Sequence, residues 1–270
     1  MRSLLFVPGS RPERIAKALS AGADAVCVDL EDAVAPDAKA EARAAVIDAL
    51  SETGGFGVRI NSLRTAWGCA DVAALAEAGA RPDFVMIPKA DHPKEVTLAG
   101  EALASGGAQP VGLIPVIESA EGLKQVWETC AAEGVTAALF GGGDMSADLG
   151  VSMDWEPMLN ARAITAAACA RAGVKAIDVP YLAVKDEAGL EEETRRVKAL
   201  GFAAKACIHP AQVETVNRVF TPGADEIAEA RRVVEALENA GGGAALLDGK
   251  LVEAPIIRRA RRVLDAAGEA

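Results

Sequence analysis

Residues that can bind metal ions and acids are concentrated at the ends of short apolar segments in this 270-residue chain. The set comprises Asp29, Glu31, Asp32, Arg59, Asn61, Lys89, Glu118, Asp144, Asp178 and His209. The apolar segments that precede them contain few charged residues. If these segments are the strands of a parallel barrel, the polar side chains meet at one end of it, where the βα loops gather.

Glu118 and Asp144 follow consecutive apolar segments and are the most informative pair. Two hard oxygen ligands without a nearby cysteine predict a Mg²⁺ site, or a Mn²⁺ site, with open positions for substrate. Three glycines at 141–143 precede Asp144 and let a ligand approach the backbone closely. For either acid alone, the alternative interpretation is a carboxylate that stabilises the dipole of the following helix.

Arg59 lies near the end of another segment and offers a planar guanidinium. Such a group makes two parallel hydrogen bonds with a substrate carboxylate. The alternative is a structural ion pair with Glu31 or Asp32. Because the arginine and the two acids are predicted at the same end of the fold, the set indicates binding of an α-keto or α-hydroxy acid and stabilisation of an enolate.

The elements that position these residues are eight short apolar segments alternating with longer, alanine-rich ones. The predicted strands are apolar on both faces, as buried parallel strands are. They cover residues 3–7, 25–29, 56–60, 84–88, 111–117, 137–140, 175–179 and 204–208. The predicted helices between them include residues 12–20, 36–51, 67–79, 120–133, 156–173 and 187–201.

Eight strand–helix units predict an α/β fold, a (β/α)₈ TIM barrel over residues 1–221. An open doubly wound sheet gives the same alternation, but eight units without a break in composition favour closure. After Pro222 the pattern changes to predicted helices at 225–239 and 254–267, separated by a glycine hinge at 241–243. We expect residues 222–270 to form a C-terminal helical extension that packs on the barrel or on a neighbouring subunit.

Composition narrows the class of protein. The net charge of −11 argues against nucleic acid or an anionic membrane as the main partner. No apolar run approaches the ~20 residues of a membrane span. Five cysteines, an odd number without a Cys-x-x-Cys pair, predict reduced thiols and a cytoplasmic protein.

Two further features carry weaker signals. Arg11, Arg14 and Lys17 follow the first strand within two helical turns, a pattern typical either of phosphate binding or of a solvated basic face. His209 ends the eighth strand, where a structural histidine bonded to a neighbouring loop is the alternative to a functional one.

Six ordered motifs resemble those of a known enzyme family. They are RSLLFVPG at 2–9, DLEDAV at 29–34, VRIN at 58–61, IESA at 117–120, GGD at 142–144 and CIHP at 207–210. Together they resemble the citrate lyase β-subunit-like family of CoA-thioester lyases. That family is similar to malyl-CoA and citramalyl-CoA lyases and, more distantly, to the HpcH/HpaI class II aldolases.

The resemblance implies a Mg²⁺-dependent barrel enzyme that cleaves or forms a carbon–carbon bond next to a CoA thioester. It assigns Glu118 and Asp144 to the metal and Arg59 to the keto-acid half of the substrate. Glu31 and Asp32 would orient waters on the metal. The expected contacts to CoA and the pocket wall are Phe6, Arg11, Lys17, the Gly143 backbone, Ile208 and His209.

The resemblance also implies a base from the C-terminal segment, usually Asp in a Val-Asp-x-Pro context, that reaches a neighbouring subunit's site. This chain has VEAP at 252–255, so Glu253 stands where Asp is usual. A different rotamer absorbs the extra methylene, or the base is displaced by about 1 Å, which alters the rate. A base acting between subunits requires a homo-oligomer, with a trimer expected and a hexamer as the alternative.

The predicted reaction is retro-Claisen or retro-aldol cleavage of a 3-hydroxyacyl-CoA of the malyl-CoA, citramalyl-CoA or citryl-CoA type. The products are an acyl-CoA and a keto or aldehyde acid. Three alternatives stay open: a malyl-CoA thioesterase-like hydrolase, a CoA-free aldolase, and a β subunit active only within a multi-component lyase.

Overall fold

The computed structural model describes residues 1–107, 112–239 and 245–269, and its first eight strands close into a parallel barrel. Each strand pairs with the next, and β8 returns to β1 through Leu4 opposite Ala206. The strands are β1 (Ser3–Pro8), β2 (Ala25–Asp29), β3 (Gly57–Arg59), β4 (Val85–Ile87), β5 (Leu113–Ile117), β6 (Ala137–Phe140), β7 (Lys175–Asp178) and β8 (Ala204–Cys207). The predicted (β/α)₈ barrel is confirmed.

Helices follow the strands and carry the chain back to the other end of the barrel. They are α1 (Ile15–Leu19), α2 (Lys39–Glu52), α3 (Ala66–Glu77), α4 (Pro93–Ser105), α5 (Ala120–Cys130), α6 (Gly142–Leu149), α7 (Trp155–Ala172), α8 (Glu187–Leu200) and α9 (Val213–Phe220). The helices predicted from residues 12 and 36 begin instead with 3₁₀ turns, Pro12–Arg14 and Pro36–Ala38. Each of these turns starts at a proline, whose fixed φ suits the first position of a helix.

Aliphatic side chains fill the barrel interior, as the low aromatic content requires. Leu4, Met86, Ile114, Leu139 and Ile177 are among the buried residues that pack together there. β3 contributes Gly57 instead of a side chain, because a Cβ at that position would lie 2.4 Å from the ring of Phe84. The ring therefore fills the space that a larger residue in β3 would occupy.

The chain divides into two compact units, residues 1–217 and 218–270. The division falls between Asn217 and Arg218, a few residues before the boundary predicted at 221/222. The second unit contains α10 (Ala224–Asn239), β9 (Ala245–Leu247), β10 (Lys250–Val252) and α11 (Ala254–Ala267). The predicted glycine hinge at 241–243 lies outside the described residues.

The second unit has its own apolar core and a hairpin that the periodicity did not predict. Val233 of α10, Val252 of β10 and Ile257 of α11 are buried against one another. β9 and β10 are joined by Asp248 and Gly249, with φ of 49° and 75°. Two consecutive positive φ values are typical of the tight turn that Asp-Gly forms in hairpins.

Membrane-crossing helices were sought in the part of the chain that the structure describes. None of its helices is both long enough and apolar enough to span a bilayer.

Candidate active site

Five of the ten strand-end residues line a cavity of about 430 Å³ at the carboxyl end of the barrel. Its volume falls within the ~300–1,000 Å³ typical of small-molecule sites. The polar part of its wall is formed by Asp29, Asp32, Arg59, Glu118 and Asp144. Phe6, Val179 and Ile208 belong to the apolar part, and Gly143 contributes backbone. Seven of the predicted site residues therefore line one cavity: Phe6, Asp32, Arg59, Glu118, Gly143, Asp144 and Ile208.

Arg59 is held in one orientation by Asp29, the last residue of β2. The Arg59 Nε and Nη2 donate hydrogen bonds to the two carboxylate oxygens of Asp29, each at 2.7 Å. Asp29 is 2% exposed and also accepts hydrogen bonds from the backbone N–H groups of Glu31 and Ala33. Adjacent parallel strands make this possible, because Asp29 pairs with Arg59 in the β2–β3 register.

The guanidinium of Arg59 has further neighbours. Its Nη1 lies 3.0 Å from Glu31 Oε2, and its Nη2 lies 3.7 Å from Asp32 Oδ2. The ring of Phe6 packs against it, with 5.1 Å between the guanidinium carbon and the ring centroid. The structural ion pairs considered from the sequence thus exist, but the dominant partner is Asp29. Arginine has five N–H donors, enough to hold these pairs and also bind a ligand in the cavity.

A second group of charges joins Glu31, Glu118 and Asp144 through Lys89. The Lys89 backbone N–H donates to Glu118 Oε1 at 2.6 Å. Its Nζ lies 3.3 Å from Glu31 Oε1 and forms a short ion pair with Asp144 Oδ2. The two predicted metal ligands therefore belong to one electrostatically coupled cluster.

The electrostatics of this cluster show an excess of negative charge. Burial, with the nearby Glu31 carboxylate, raises the pKa of Glu118 to about 8. Burial also raises the pKa of Glu31, against the opposing effect of the Arg59 charge. Burial opposes the charge of Lys89, but the hydrogen bond to Asp144 and the charge of Glu31 outweigh it, so the pKa of Lys89 lies above its ordinary value. Perturbed carboxyl groups in a cavity are typical of functional sites.

The glycine segment before Asp144 makes room for this arrangement. A Cβ on Gly141 would lie 2.5 Å from the Cβ of Glu118 and 2.7 Å from its Oε2. A Cβ on Gly143 would meet nothing within 4 Å, in agreement with its place on the cavity wall. Gly141 therefore allows Glu118 to reach the cavity, and α6 starts immediately afterwards with Asp144 in its first turn.

Mg²⁺ fits the residues present. Glu31 Oε2 is buried and makes no hydrogen bond although Arg59 Nη1 lies 3.0 Å away, and Glu118 has a raised pKa, so the cluster can accept further positive charge. Among the described residues no three His, Cys, Asp or Glu side chains converge on one point. The ion would therefore take Glu118 and Asp144 and complete its shell with water and substrate, as Mg²⁺ commonly does.

The remaining predicted site residues lie outside this cluster. Arg11 and Lys17 are exposed and follow the first strand. Arg11 directly precedes the 3₁₀ turn Pro12–Arg14, and Lys17 lies within α1. His209 accepts a hydrogen bond from the Ala211 N–H at 3.1 Å and so caps the turn that follows β8. Glu253 belongs to the second unit, where it is exposed and directly precedes α11.

Sequence reasoning gave no role to Asp29 or Lys89, although both were in the strand-end set. Glu31 or Asp32 was the ion-pair partner considered for Arg59 from the sequence, and Asp29 was not considered. The signal that finds Asp29 is the equal position of Asp29 and Arg59 at the ends of adjacent strands. Lys89 lies two residues after β4, which neighbours β5, the strand that Glu118 follows.

The chain matches a known family over most of its length. The sequence model of the HpcH/HpaI aldolase/citrate lyase family matches residues 2–210. The chain therefore belongs to the HpcH/HpaI aldolase/citrate lyase family, as the six motifs indicated.

Individual relatives narrow the comparison. The chain is 36% identical over 300 residues to an L-malyl-CoA/beta-methylmalyl-CoA lyase of Cereibacter sphaeroides. It is 38% identical over 277 residues to a (3S)-malyl-CoA thioesterase of the same species. Both comparisons cover 98% of this chain and 94% of the relative.

A solved structure extends the likeness to three dimensions. CitE from Mycobacterium tuberculosis, in complex with magnesium, acetoacetate and coenzyme A, is similar with a TM-score of 0.85 and 34% identity. The similarity covers 99% of this chain and 98% of the CitE chain.

Proposed function

We propose that this chain is a Mg²⁺-dependent lyase that cleaves the carbon–carbon bond of a 3-hydroxyacyl-CoA thioester. The products are an acyl-CoA and a keto or aldehyde acid. The observation that carries the proposal is the joint placement of Arg59, Glu118 and Asp144 around one cavity at the carboxyl end of the barrel. The lyase named among the relatives and the CitE complex with magnesium and coenzyme A support it.

Each residue of the cavity has a task in this reaction. Arg59, fixed by Asp29, binds the carboxylate of the acid half of the substrate. Glu118 and Asp144 hold Mg²⁺, which when bound polarises a substrate oxygen as a Lewis acid. Glu31 and Asp32 orient waters beside the metal site. Phe6 covers one face of the guanidinium and keeps water from it.

Bond cleavage needs a base for the substrate hydroxyl. When the base removes that proton, the electrons of the carbon–carbon bond move to the α-carbon of the thioester and leave an acyl-CoA enolate, which is then protonated. We assign the base to Glu253 on the strength of the family resemblance, acting on the site of a neighbouring subunit. The extension that carries Glu253 then packs on that neighbour, and the protein is a homo-oligomer, a trimer or a hexamer.

Subunit mixing tests the role of Glu253. Glu253→Ala and Asp144→Ala are each expected to be inactive. After the two variants are unfolded and refolded together, sites form that combine Asp144 of one subunit with Glu253 of another. Recovered turnover supports the assignment, whereas two variants that stay inactive in mixed oligomers of normal size contradict it.

CoA is held outside the cavity, beside the first helix. We assign Arg11 and Lys17 to its phosphates, because both are exposed cations after β1 on the rim of the same barrel end. Ile208 and the Gly143 backbone contact the thioester end within the cavity. His209 contributes through the turn that it caps, which positions Ile208.

A reducing, cytoplasmic setting accords with the cysteines. All five are free, and the Sγ atoms of Cys130 and Cys169 lie 3.8 Å apart without a bond between them. Free thiols in close pairs are typical of proteins in reducing compartments.

Hydrolysis of malyl-CoA to malate and CoA is the second candidate function. The thioesterase relative aligns over 277 positions and the lyase over 300, although both cover 98% of this chain. The lyase alignment therefore contains more gaps, which favours the thioesterase as the alternative. In that reaction the same base activates a water that attacks the thioester carbonyl.

Product analysis separates these functions. The purified protein is offered malyl-CoA, citramalyl-CoA and citryl-CoA with Mg²⁺, and the CoA species are identified by mass spectrometry. An acyl-CoA with a keto or aldehyde acid identifies the lyase and its substrate. Free CoA with the intact hydroxy acid identifies the thioesterase, and no turnover of any thioester contradicts both.

A further inference from the structure

Lys89 contacts every carboxylate of the cluster around the metal site through two different groups. Its backbone N–H donates to Glu118, and its side-chain ammonium pairs with Glu31 and Asp144. Glu31 and Glu118 are 6% and 7% exposed, so their charges are poorly solvated. The ammonium is thus the nearest positive charge to Asp144.

The backbone of Lys89 is held in an unusual conformation. Its φ is 51°, and within the described residues only Asp248 shares a positive φ among residues other than glycine. The left-handed region costs a side-chain-bearing residue free energy and persists where the surroundings impose it. In this left-handed conformation the backbone N–H and the side-chain ammonium of Lys89 both contact carboxylates of the same cluster.

We propose that Lys89 is a positioning residue that holds the carboxylate cluster together without metal and competes with Mg²⁺ for Asp144. The inference rests on the proposed function, because it takes Glu118 and Asp144 as the metal ligands. In this proposal Mg²⁺ replaces the ammonium as the partner of Asp144 Oδ2, the oxygen that Lys89 contacts. The side chains of Lys89 and Asp144 are 41% and 46% exposed, so this exchange needs no opening of the core.

Two consequences follow from the geometry. Without metal, Lys89 reduces the repulsion among Glu31, Glu118 and Asp144 and so stabilises the fold. With metal, its ammonium loses a partner and repels the dication, so the metal binds more weakly than the carboxylates alone would allow. Lys89 therefore sets both the metal affinity and the stability of the empty site.

Calorimetric titration of MgCl₂ into the substrate-free protein tests the first consequence. Lys89→Met removes the ammonium and is expected to tighten Mg²⁺ binding by about tenfold, because a like charge near the ion is lost. Lys124→Met is the matched control, since Lys124 is 69% exposed and pairs with Glu121 on α5. It should leave the affinity unchanged. Equal or weaker binding by Lys89→Met overturns the proposal.

Thermal unfolding tests the second consequence. In EDTA, Lys89→Met should unfold about 2–4 °C below the unaltered protein. Mg²⁺ should then raise its midpoint by more than it raises that of the unaltered protein. A Mg²⁺-induced rise that is the same or smaller overturns the proposal. If Lys89→Met fails to fold, Lys89→Gly replaces it, because glycine adopts the positive φ at this position without strain.

The outcomes distinguish a failure of the metal assignment from a failure of the role proposed for Lys89. If the unaltered protein binds Mg²⁺ and Lys89→Met binds it no more tightly, only the role of Lys89 fails. If only Lys89→Met binds Mg²⁺, competition by the ammonium is supported in its strongest form. If neither binds Mg²⁺, the metal assignment fails and the role of Lys89 fails with it.

Discussion

Two groups of charged side chains belong to the same barrel, and they differ in the balance of their charges and in their access to solvent. The first is the cluster of Glu31, Glu118, Asp144 and Lys89, which adjoins the cavity. The second, which we term the sealed network, contains Arg162, Asp178, Glu193 and Lys205. In the sealed network Arg162 Nε donates to Asp178 at 2.9 Å, and Lys205 Nζ donates to Asp178, Glu193 and the Val179 carbonyl.

The sealed network has equal numbers of cations and anions, and three of its four side chains are at most 1% exposed. Phe140 and Trp155 pack on the guanidinium of Arg162 at 5.2 and 5.1 Å. The cavity cluster instead has three carboxylates for one ammonium, with Asp144 and Lys89 partly open. Balanced and closed charges specify structure, whereas unbalanced and open charges leave a site for a cation.

Removal of Asp144 is expected to have the largest effect on activity. Asp144→Ala deletes a proposed metal ligand, and the loss of Lewis-acid stabilisation, worth several kcal/mol, corresponds to roughly 10³-fold in kcat. The melting temperature should stay within about 2 °C, because the residue is half exposed. Steady-state kinetics and thermal unfolding check both. Asp83→Ala, an exposed carboxylate before β4 at the other end of the barrel, is the control and should retain activity. Full activity in Asp144→Ala contradicts the metal assignment.

Substitutions in the sealed network are expected to lower the stability of the fold without a direct effect on the chemical step. Asp178→Asn removes one partner of a buried ion pair and should lower the free energy of unfolding by about 3–5 kcal/mol. Urea unfolding measures this loss. Asp248→Asn, in an exposed pair with Arg232, should leave the free energy of unfolding almost unchanged, because exposed ion pairs contribute little. If Asp178→Asn is as stable as Asp248→Asn, the distinction between the two groups is wrong.

Substitution of Arg59 by lysine tests whether activity depends on the planar guanidinium and its two parallel hydrogen bonds to Asp29. Arg59→Lys keeps the charge but cannot make two parallel bonds to Asp29, so the group that we propose to hold the substrate is misplaced. A displacement of about 1 Å is expected to lower kcat/KM by about 10²-fold. Arg2→Lys, at the amino end of β1, makes the same change outside the cavity and should leave kcat/KM unaltered. An unchanged kcat/KM in Arg59→Lys would show that charge alone suffices.

The smallest effect is expected at the exposed cations assigned to CoA. Arg11→Ala should raise KM for the thioester by about 2–5-fold, because an exposed ion pair is worth up to about 1 kcal/mol. Its kcat should not change, since Arg11 is remote from the reacting bond. Arg171→Ala is the control, because Arg171 lies in the last turn of α7, at the amino end of the barrel. An unaltered KM in Arg11→Ala removes Arg11 from the CoA site.

The fold was predictable because the barrel depends on a repeated local pattern. Each short apolar run became a buried parallel strand, and the predicted ends lie within two residues of the observed ones where the structure describes them. The β9–β10 hairpin was missed because its strands have three residues each, too few for periodicity to register. Its Asp248–Gly249 turn was the available signal.

The sequence predicted which residues form the candidate site better than it predicted the contacts between them. Strand ends brought Arg59, Glu118 and Asp144 to one cavity, as parallel strands require. The clamp of Asp29 on Arg59 depends on the β2–β3 register, and the contacts of Lys89 depend on a positive φ. The sequence placed Asp29 and Arg59 at the ends of adjacent strands, but the β2–β3 register that pairs them and the positive φ of Lys89 cannot be read from residue types.

The proposal that Glu118 and Asp144 act through a bound metal ion is best tested by asking whether carbon–carbon cleavage depends reversibly on Mg²⁺. Purified protein is incubated with malyl-CoA in Mg²⁺, then in EDTA, and again after Mg²⁺ is restored, while acetyl-CoA and glyoxylate are quantified by mass spectrometry. Both products are expected to form in equal amounts with Mg²⁺, to stop forming in EDTA and to form again when Mg²⁺ is restored. Acetyl-CoA formation that continues unchanged in EDTA would contradict the claim that Glu118 and Asp144 act through a bound metal ion.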